Sequence, residues 1–186
     1  MDNVISRQCE WDGALEGGVP PHAFRQALGR FGSGVTVLSV AHAHGYHGMT
    51  ANAFMSISLD PPLVAVSIGR KARINEHLRK GVCFGISVLA ESQQALALHF
   101  GGRPDPRLDV EIRWADGVPL IAAGSAQFVA AVDEIHEAGD HRIFVARLRS
   151  LRWSDAAPLL FWAGGFGDFH AREAAPVHCT VPDFWC

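Results

Sequence analysis

Residues 48–73 read GMTANAFMSISLDPPLVAVSIGRKAR. The Pro61-Pro62 pair breaks this stretch into one strand, a turn and a second apolar strand at residues 63–68, which makes it a hairpin followed by a basic loop. Thr50, Ala51, Asn52 and Ala53 are small enough for a flat ring to approach the backbone, and the Asn52 amide both donates and accepts hydrogen bonds. Ser56, Ser58 and Ser67 add hydroxyls. Beyond the second strand, Arg70, Lys71 and Arg73 offer the charge-assisted donors that phosphate oxygens require. Spacing alone leaves two readings open: a surface for a planar, phosphorylated ligand, or two strands and a solvated basic loop.

Upstream, the prolines at 20 and 21 suit the first turn of a helix, and Phe24, Ala27, Leu28 and Phe31 recur at helical spacing. Gly32 and Gly34 end that helix and lead into VTVLSVA, a β-branched strand at residues 35–41. A turn at residues 42–46 makes a hairpin with the strand that starts near His47. Downstream, a short helix is expected around residues 74–78. Val82, Phe84, Ile86 and Val88 alternate in a strand, residues 95–100 are helical, and GGRPDPRLD is a loop. A long strand beginning at Ala126 and another at residues 142–151 flank a turn at residues 138–141 and should pair antiparallel. A last strand at residues 158–162 precedes the glycine-rich AGGFGDF.

About six strands joined mostly by hairpins, with three short helices between them, favour a mainly β fold of antiparallel barrel type over a parallel doubly wound sheet. No dinucleotide fingerprint contradicts this, since His170 stands where the third glycine after Gly165 and Gly167 would fall.

At 186 residues the chain fits one domain with a core of its own. Residues 1–19 read as a flexible arm, 20–166 as the domain and 167–186 as an irregular aromatic tail that includes Phe169, Phe184 and Trp185. No apolar run reaches the roughly 18 residues of a membrane span, and the acidic N-terminus lacks the marks of a secretory signal, so a soluble cytoplasmic protein is expected. Cys9, Cys83, Cys179 and Cys186 are scattered, with neither a zinc nor a disulfide pattern. A net charge of -3 with dispersed basic residues argues for a small-molecule partner over nucleic acid. His42 and His44 share a strand face and could chelate a metal, but without a carboxylate or cysteine partner they read better as solvated loop residues, and no metal is expected.

Five segments in order carry a resemblance: FRQALGRFGSGVTVLS (residues 24–39), GMTANAFMSISLDPPLVAVSI (48–68), FGISVLAESQ (84–93) with HF at 99–100, GDHRIFVARL (139–148) and PLLFW (158–162). Together they resemble the short-chain flavin reductases of the flavin-binding split-barrel fold. The resemblance implies an antiparallel split barrel, a homodimer, and an NAD(P)H:flavin oxidoreductase that reduces FMN or FAD and hands reduced flavin to a separate monooxygenase.

Carried over onto this chain, it implies that His47, Gly48, Met49, Thr50, Asn52 and Ala53 hold the flavin ring. Ser67, Ile68 and Gly69 would line the ribityl chain and phosphate, Arg73 would meet the phosphate, and His99 and Phe100 would close the pocket. His141 of the GDH motif would lie beside the nicotinamide as the catalytic residue, with Asp140 shaping the turn. Phe161, Trp162, Ala163 and Gly164 would serve the pyridine nucleotide, but Ala163 stands where many members carry a base, so one contact to that nucleotide should be weaker. Hydride transfer between cofactors needs neither a nucleophile nor an acid–base dyad, only position and electrostatics. Main-chain amides of residues 49–52 are candidates to stabilise charge on the reduced ring. The departure at Ala163 keeps an alternative open, a non-catalytic flavin- or haem-binding split-barrel protein.

Overall fold

The computed structural model describes residues 18–170. The arm and tail expectations for residues 1–17 and 171–186, with Phe184 and Trp185, lie outside the described residues. The elements run α1 (Pro21–Leu28), β1 (Ser33–Gly34), β2 (Thr36–His42), β3 (Gly45–Ala51), β4 (Phe54–Leu59), β5 (Pro62–Gly69), β6 (Cys83–Val88), α2 (Gln94–Phe100), β7 (Ile112–Ala115), β8 (Val118–Ile121), β9 (Ala126–Ala138), β10 (His141–Trp153), β11 (Leu160–Trp162) and β12 (Gly165–Gly167). Single 3-10 turns occupy Arg73–Glu76 and Glu91–Gln93.

Seven strands form one sheet in the order β3-β2-β6-β9-β10-β5-β4, antiparallel at every pairing. The core shows that this sheet curls. Leu38 and Val40 of β2, Ala51 of β3, Val64, Val66 and Ile68 of β5, Phe84 and Ile86 of β6, Ala130 and Val132 of β9, and Phe144 and Ala146 of β10 share one buried cluster, with Phe54 of β4 packed against it. In a flat seven-stranded sheet the edge strands would stand about 29 Å apart at roughly 4.8 Å per strand, too far to share side-chain contacts. The two edges, β3 and β4, are consecutive in sequence, and Asn52 and Ala53 turn the corner between them.

The β2 sequence is apolar almost without alternation because both its faces are covered. Leu38 and Val40 point into the barrel, while Val37, with the preceding Val35, joins a second cluster with Leu89, Ala97, Ile121 and Leu159. The same outer face carries the β7–β8 hairpin. Ser39 Oγ donates to the Pro119 carbonyl, Ile121 N donates to Ser87 Oγ at 2.9 Å, and the Gln127 amide donates to the Ile121 carbonyl. Three buried polar side chains thus pin β8 across the sheet.

Among the described residues, twelve strands replace the six or so expected. The β7–β8 hairpin, absent from the sequence reading, turns at Asp116 (φ 51°) and Gly117 (φ 74°), and Asp-Gly is the dipeptide that favours such a turn. The helix expected at residues 74–78 is only the Arg73–Glu76 3-10 turn. Helix α1 forms as expected but buries none of its residues, and leaves Phe24 54% and Leu28 59% exposed. Among the four cysteines, Cys83 is described, and its thiol is free and exposed.

Candidate functional site

Edge strand β3 has a free side, where alternate backbone donors and acceptors face away from β2. Along that side lies a cleft of about 280 Å³ lined by His47, Gly48, Met49, Thr50, Arg73, Phe100, Gly101 and Gly102. Six expected residues meet here. Gly101 and Gly102 were not anticipated; they follow directly on the HF motif that signals this end of α2.

The wall of the cleft depends on Gly48. A Cβ on that residue would lie 2.6 Å from Cδ1 and Cε1 of Phe100, inside van der Waals contact, so the ring lies directly on the glycine backbone. Helix α2 is held there by Thr50 Oγ1, which donates to the Ala97 carbonyl at 2.8 Å. The Thr50 hydroxyl proton is therefore committed to structure and only its lone pairs remain for a ligand.

Arg73 opens the Arg73–Glu76 turn and makes no ion pair among the described residues, while its charge acts on His47. The basic loop is not uniformly available, because Arg70 pairs with Glu137 at 2.8 Å, as does Arg142. Asn75, unremarked in the sequence, holds the loop in shape. Its amide nitrogen donates to the carbonyls of Gly69 at 2.8 Å, Ala72 at 2.9 Å and Arg70 at 3.3 Å.

His47 is half-buried, and its imidazole is held below the ordinary value first by that burial, then by Arg73, His77 and His42; Glu76 pulls the other way. The His77 ring lies 5.9 Å from that of His47 and stacks on His42 at 5.3 Å with 15° between planes. His44 meets His42 edge-on at 6.4 Å. Among the described residues no three His, Cys, Asp or Glu side chains are placed to hold a metal.

Several expected residues sit elsewhere. Asn52 and Ala53 are exposed at the β3–β4 corner outside the cleft, where the Ala53 carbonyl accepts from Ser67 N at 3.0 Å. The Ile68 side chain is fully buried in the barrel, so only its main chain could meet a ligand. His99 does not line the cleft; its Nδ1 accepts from Asp105 N at 3.1 Å while its ring meets Phe100 edge-on at 4.9 Å. Phe161 packs against the second apolar cluster, edge-on to Phe166.

His141 begins β10 opposite Gly69. Its Nε2 would lie 3.7 Å from a Cβ on Gly69, and its Nδ1 is 2.7 Å from Asp140 Oδ1. Asp140 therefore does more than shape the turn. Its carboxyl is held below the usual range, chiefly by the hydrogen bond from His141 and then by the charges of His141 and Arg25. A carboxylate at Nδ1 selects, for the neutral ring, the tautomer with its proton on that atom, and places Nε2 on the Gly69 side.

The turn between β11 and β12 is Ala163 (φ 51°) and Gly164 (φ 86°). It is bound to the end of α1, since Ala163 N donates to the Gly29 carbonyl at 2.8 Å and Trp162 Nε1 to the Arg30 carbonyl at 3.2 Å. The Arg30 guanidinium lies over the Trp162 ring, 5.6 Å from its centroid. A cation is thus present beside the uncharged Ala163, supplied by a residue distant in sequence. Arg25, on α1 itself, is the arginine whose charge reaches Asp140.

A model of the family described as "Flavin reductase like domain" matches residues 28–170. The chain is 42% identical over 160 residues to an NADH-dependent flavin reductase of Rhodococcus sp., covering 84% of this chain and 91% of the relative. Among solved structures it is similar to the styrene monooxygenase flavin reductase of Pseudomonas putida S12, at 36% identity and a TM-score of 0.75 over 80% of this chain and 98% of that one. It is also similar to an NADH:FAD oxidoreductase of Streptomyces globisporus in complex with NAD and FAD fragments, at 34% identity and a TM-score of 0.74 over 82% and 94%.

Proposed function

We propose, from the premise that this chain belongs to the flavin reductase-like family, that the cleft on β3 is its flavin site and that the His141 turn faces the hydride donor. The chain is an oxidoreductase that spends reduced pyridine nucleotide on FMN or FAD and supplies reduced flavin to a partner monooxygenase, in keeping with its relatives. One observation carries the siting: the contact between Gly48 and the Phe100 ring leaves a flat-walled cleft with Arg73 at its margin. That cradle suits a planar ring with an anionic tail.

When bound, flavin supplies the electron sink and takes the hydride; the residues position and stabilise. Of the main-chain amides of residues 49–52, those that face away from β2 offer donors to the polar rim of the ring. Phe100 and Met49 cover apolar surface and exclude water. Asp140 orients His141 through Nδ1. Arg30, backed by the Trp162 indole, offers a charge to the phosphates of the pyridine nucleotide. That charge removes the motive for a purely ligand-holding protein, which rested on the missing base at Ala163.

Oxidation of NADH and NADPH by the purified protein, followed at 340 nm with and without FMN, FAD or riboflavin, tests this reading. Turnover that depends on added flavin is expected; no turnover with any pair would overturn it. Arg30→Ala should raise KM for the pyridine nucleotide several-fold, as expected for the loss of one solvent-exposed charge contact worth up to about 1 kcal/mol, and leave the flavin KM unchanged. An effect on flavin KM alone would show that Arg30 acts elsewhere.

We also infer a homodimer. Exposed Met55 (59%), Ile57 (43%) and Leu59 (73%) on β4 form an apolar row on a sheet edge that monomers rarely leave bare. Light scattering should give twice the chain mass. No helix among the described residues is long and apolar enough to cross a membrane, and dependence on reduced pyridine nucleotide fits the cytoplasm.

A further inference from the structure

Two side chains beside the cleft, His42 and His77, have no part in ring binding or hydride transfer as described above, and both connect to His47 of its lining. His47 lies on β3, His42 at the end of β2, and His77 just beyond the Arg73–Glu76 turn. Three elements thus bring three imidazoles into a chain of contacts, His47 to His77 at 5.9 Å and His77 to His42 at 5.3 Å, beside the unpaired Arg73. Among the described residues no cluster of His, Cys, Asp or Glu is placed to hold a metal ion.

Among the described residues none of these three imidazoles, nor Arg73, pairs with a carboxylate; Glu76 is the acidic side chain whose charge reaches His47. Protonated, these rings would repel one another and Arg73 with no counter-ion between them. An anion seated among them would reverse that repulsion.

We propose that His47, His77 and His42 form with Arg73 an anion subsite for the phosphate end of flavin, so that this reductase selects phosphorylated flavins over riboflavin and takes up protons as it binds them. The inference rests on the reading of the β3 cleft as the flavin site and adds His42 and His77 to it.

The sign follows from linkage. In the unliganded chain burial, Arg73, His77 and His42 all oppose protonation of His47, while Glu76 alone favours it. A phosphate oxygen nearby favours the imidazolium form, so binding raises the imidazole pKa and draws in protons. Affinity is then highest below the ordinary imidazole value, about 6.5, and falls as pH rises through that range. FAD is the clean probe, because the phosphate of FMN itself titrates near about pH 6 whereas a pyrophosphate diester does not.

The experiment measures dissociation constants of FAD and riboflavin by flavin fluorescence at pH values from about 6 to about 8, for the wild-type chain, His77→Gln and His42→Gln. Several-fold weaker FAD binding at the alkaline end, a flat riboflavin profile and a flattened FAD profile in His77→Gln are expected. Parallel profiles for the two flavins, or an FAD profile unchanged in both variants, would overturn the inference. Wild-type NADH oxidation with added flavin keeps the two readings apart: its presence beside a flat FAD profile defeats the subsite alone, and its absence with every flavin defeats the reductase reading itself.

Discussion

Gly48→Ala should cut flavin-dependent NADH oxidation at least tenfold at low flavin concentration while leaving the barrel folded. The added Cβ would stand 2.6 Å from two Phe100 ring carbons. Phe100 has two ways to yield. It can swing into the cleft and occupy the flavin's space, or it can press into the cluster around Val37, Leu89 and Ala97, against which it already packs. Overpacking of this kind costs about 1–3 kcal/mol, and about 1.4 kcal/mol taken from ligand binding is a factor of ten. The loss should appear in KM for flavin more than in kcat at saturation. Thermal unfolding should fall by only a few degrees. A variant with wild-type flavin KM would mean that the Gly48 and Phe100 wall does not touch the flavin.

Gly48 of this wall was legible in the sequence as the start of a run of small residues beside a strand, and Phe100 through the resemblance that the HF motif helps to carry. β-branched content likewise showed β2 and its hairpin with β3, and alternating side chains showed β9 and its hairpin with β10. What escaped was set by contacts across the chain. Arg70 looked like a phosphate donor beside Arg73, yet its guanidinium turns to Glu137, 67 positions away in sequence, and it is Asn75 that shapes the loop. Arg30 carried no sign of meeting Trp162, since the helix end and the β11–β12 turn are joined only by folding.

Helix α1 shows the opposite failure. Its period was right, but a helical period says only that one face is apolar, not what covers it. In this chain nothing among the described residues does, and the stripe of Phe24 and Leu28 remains exposed beside the corner that carries Arg30. The surface that ties Arg25 to the His141 turn is thus on an element with little packing of its own.

Among the described glycines remote from the cleft, Gly85→Ala should be the most destabilising alanine substitution. The new Cβ would lie 2.4 Å from the Pro119 carbonyl oxygen and 2.7 Å from both Ser39 Oγ and Leu120 Cδ2. The first of these is backbone and cannot rotate aside. It is also the acceptor of the buried Ser39 hydroxyl, so moving β8 away strips that bond and strains the neighbouring Ser87 and Gln127 tethers at Ile121. Overpacking at about 1–3 kcal/mol and a buried hydroxyl left unpaired at about 1–3 kcal/mol act together. At roughly 2–4 °C per kcal/mol for a domain of this size, Tm should drop by about 10 °C. Gly34→Ala serves as the control, since nothing lies within 4 Å of its Cβ position; it should leave Tm level or slightly raised. A Gly85→Ala melting point within about 2 °C of wild type would show that β8 moves freely on the sheet, and the three polar tethers would then have no hold on the hairpin.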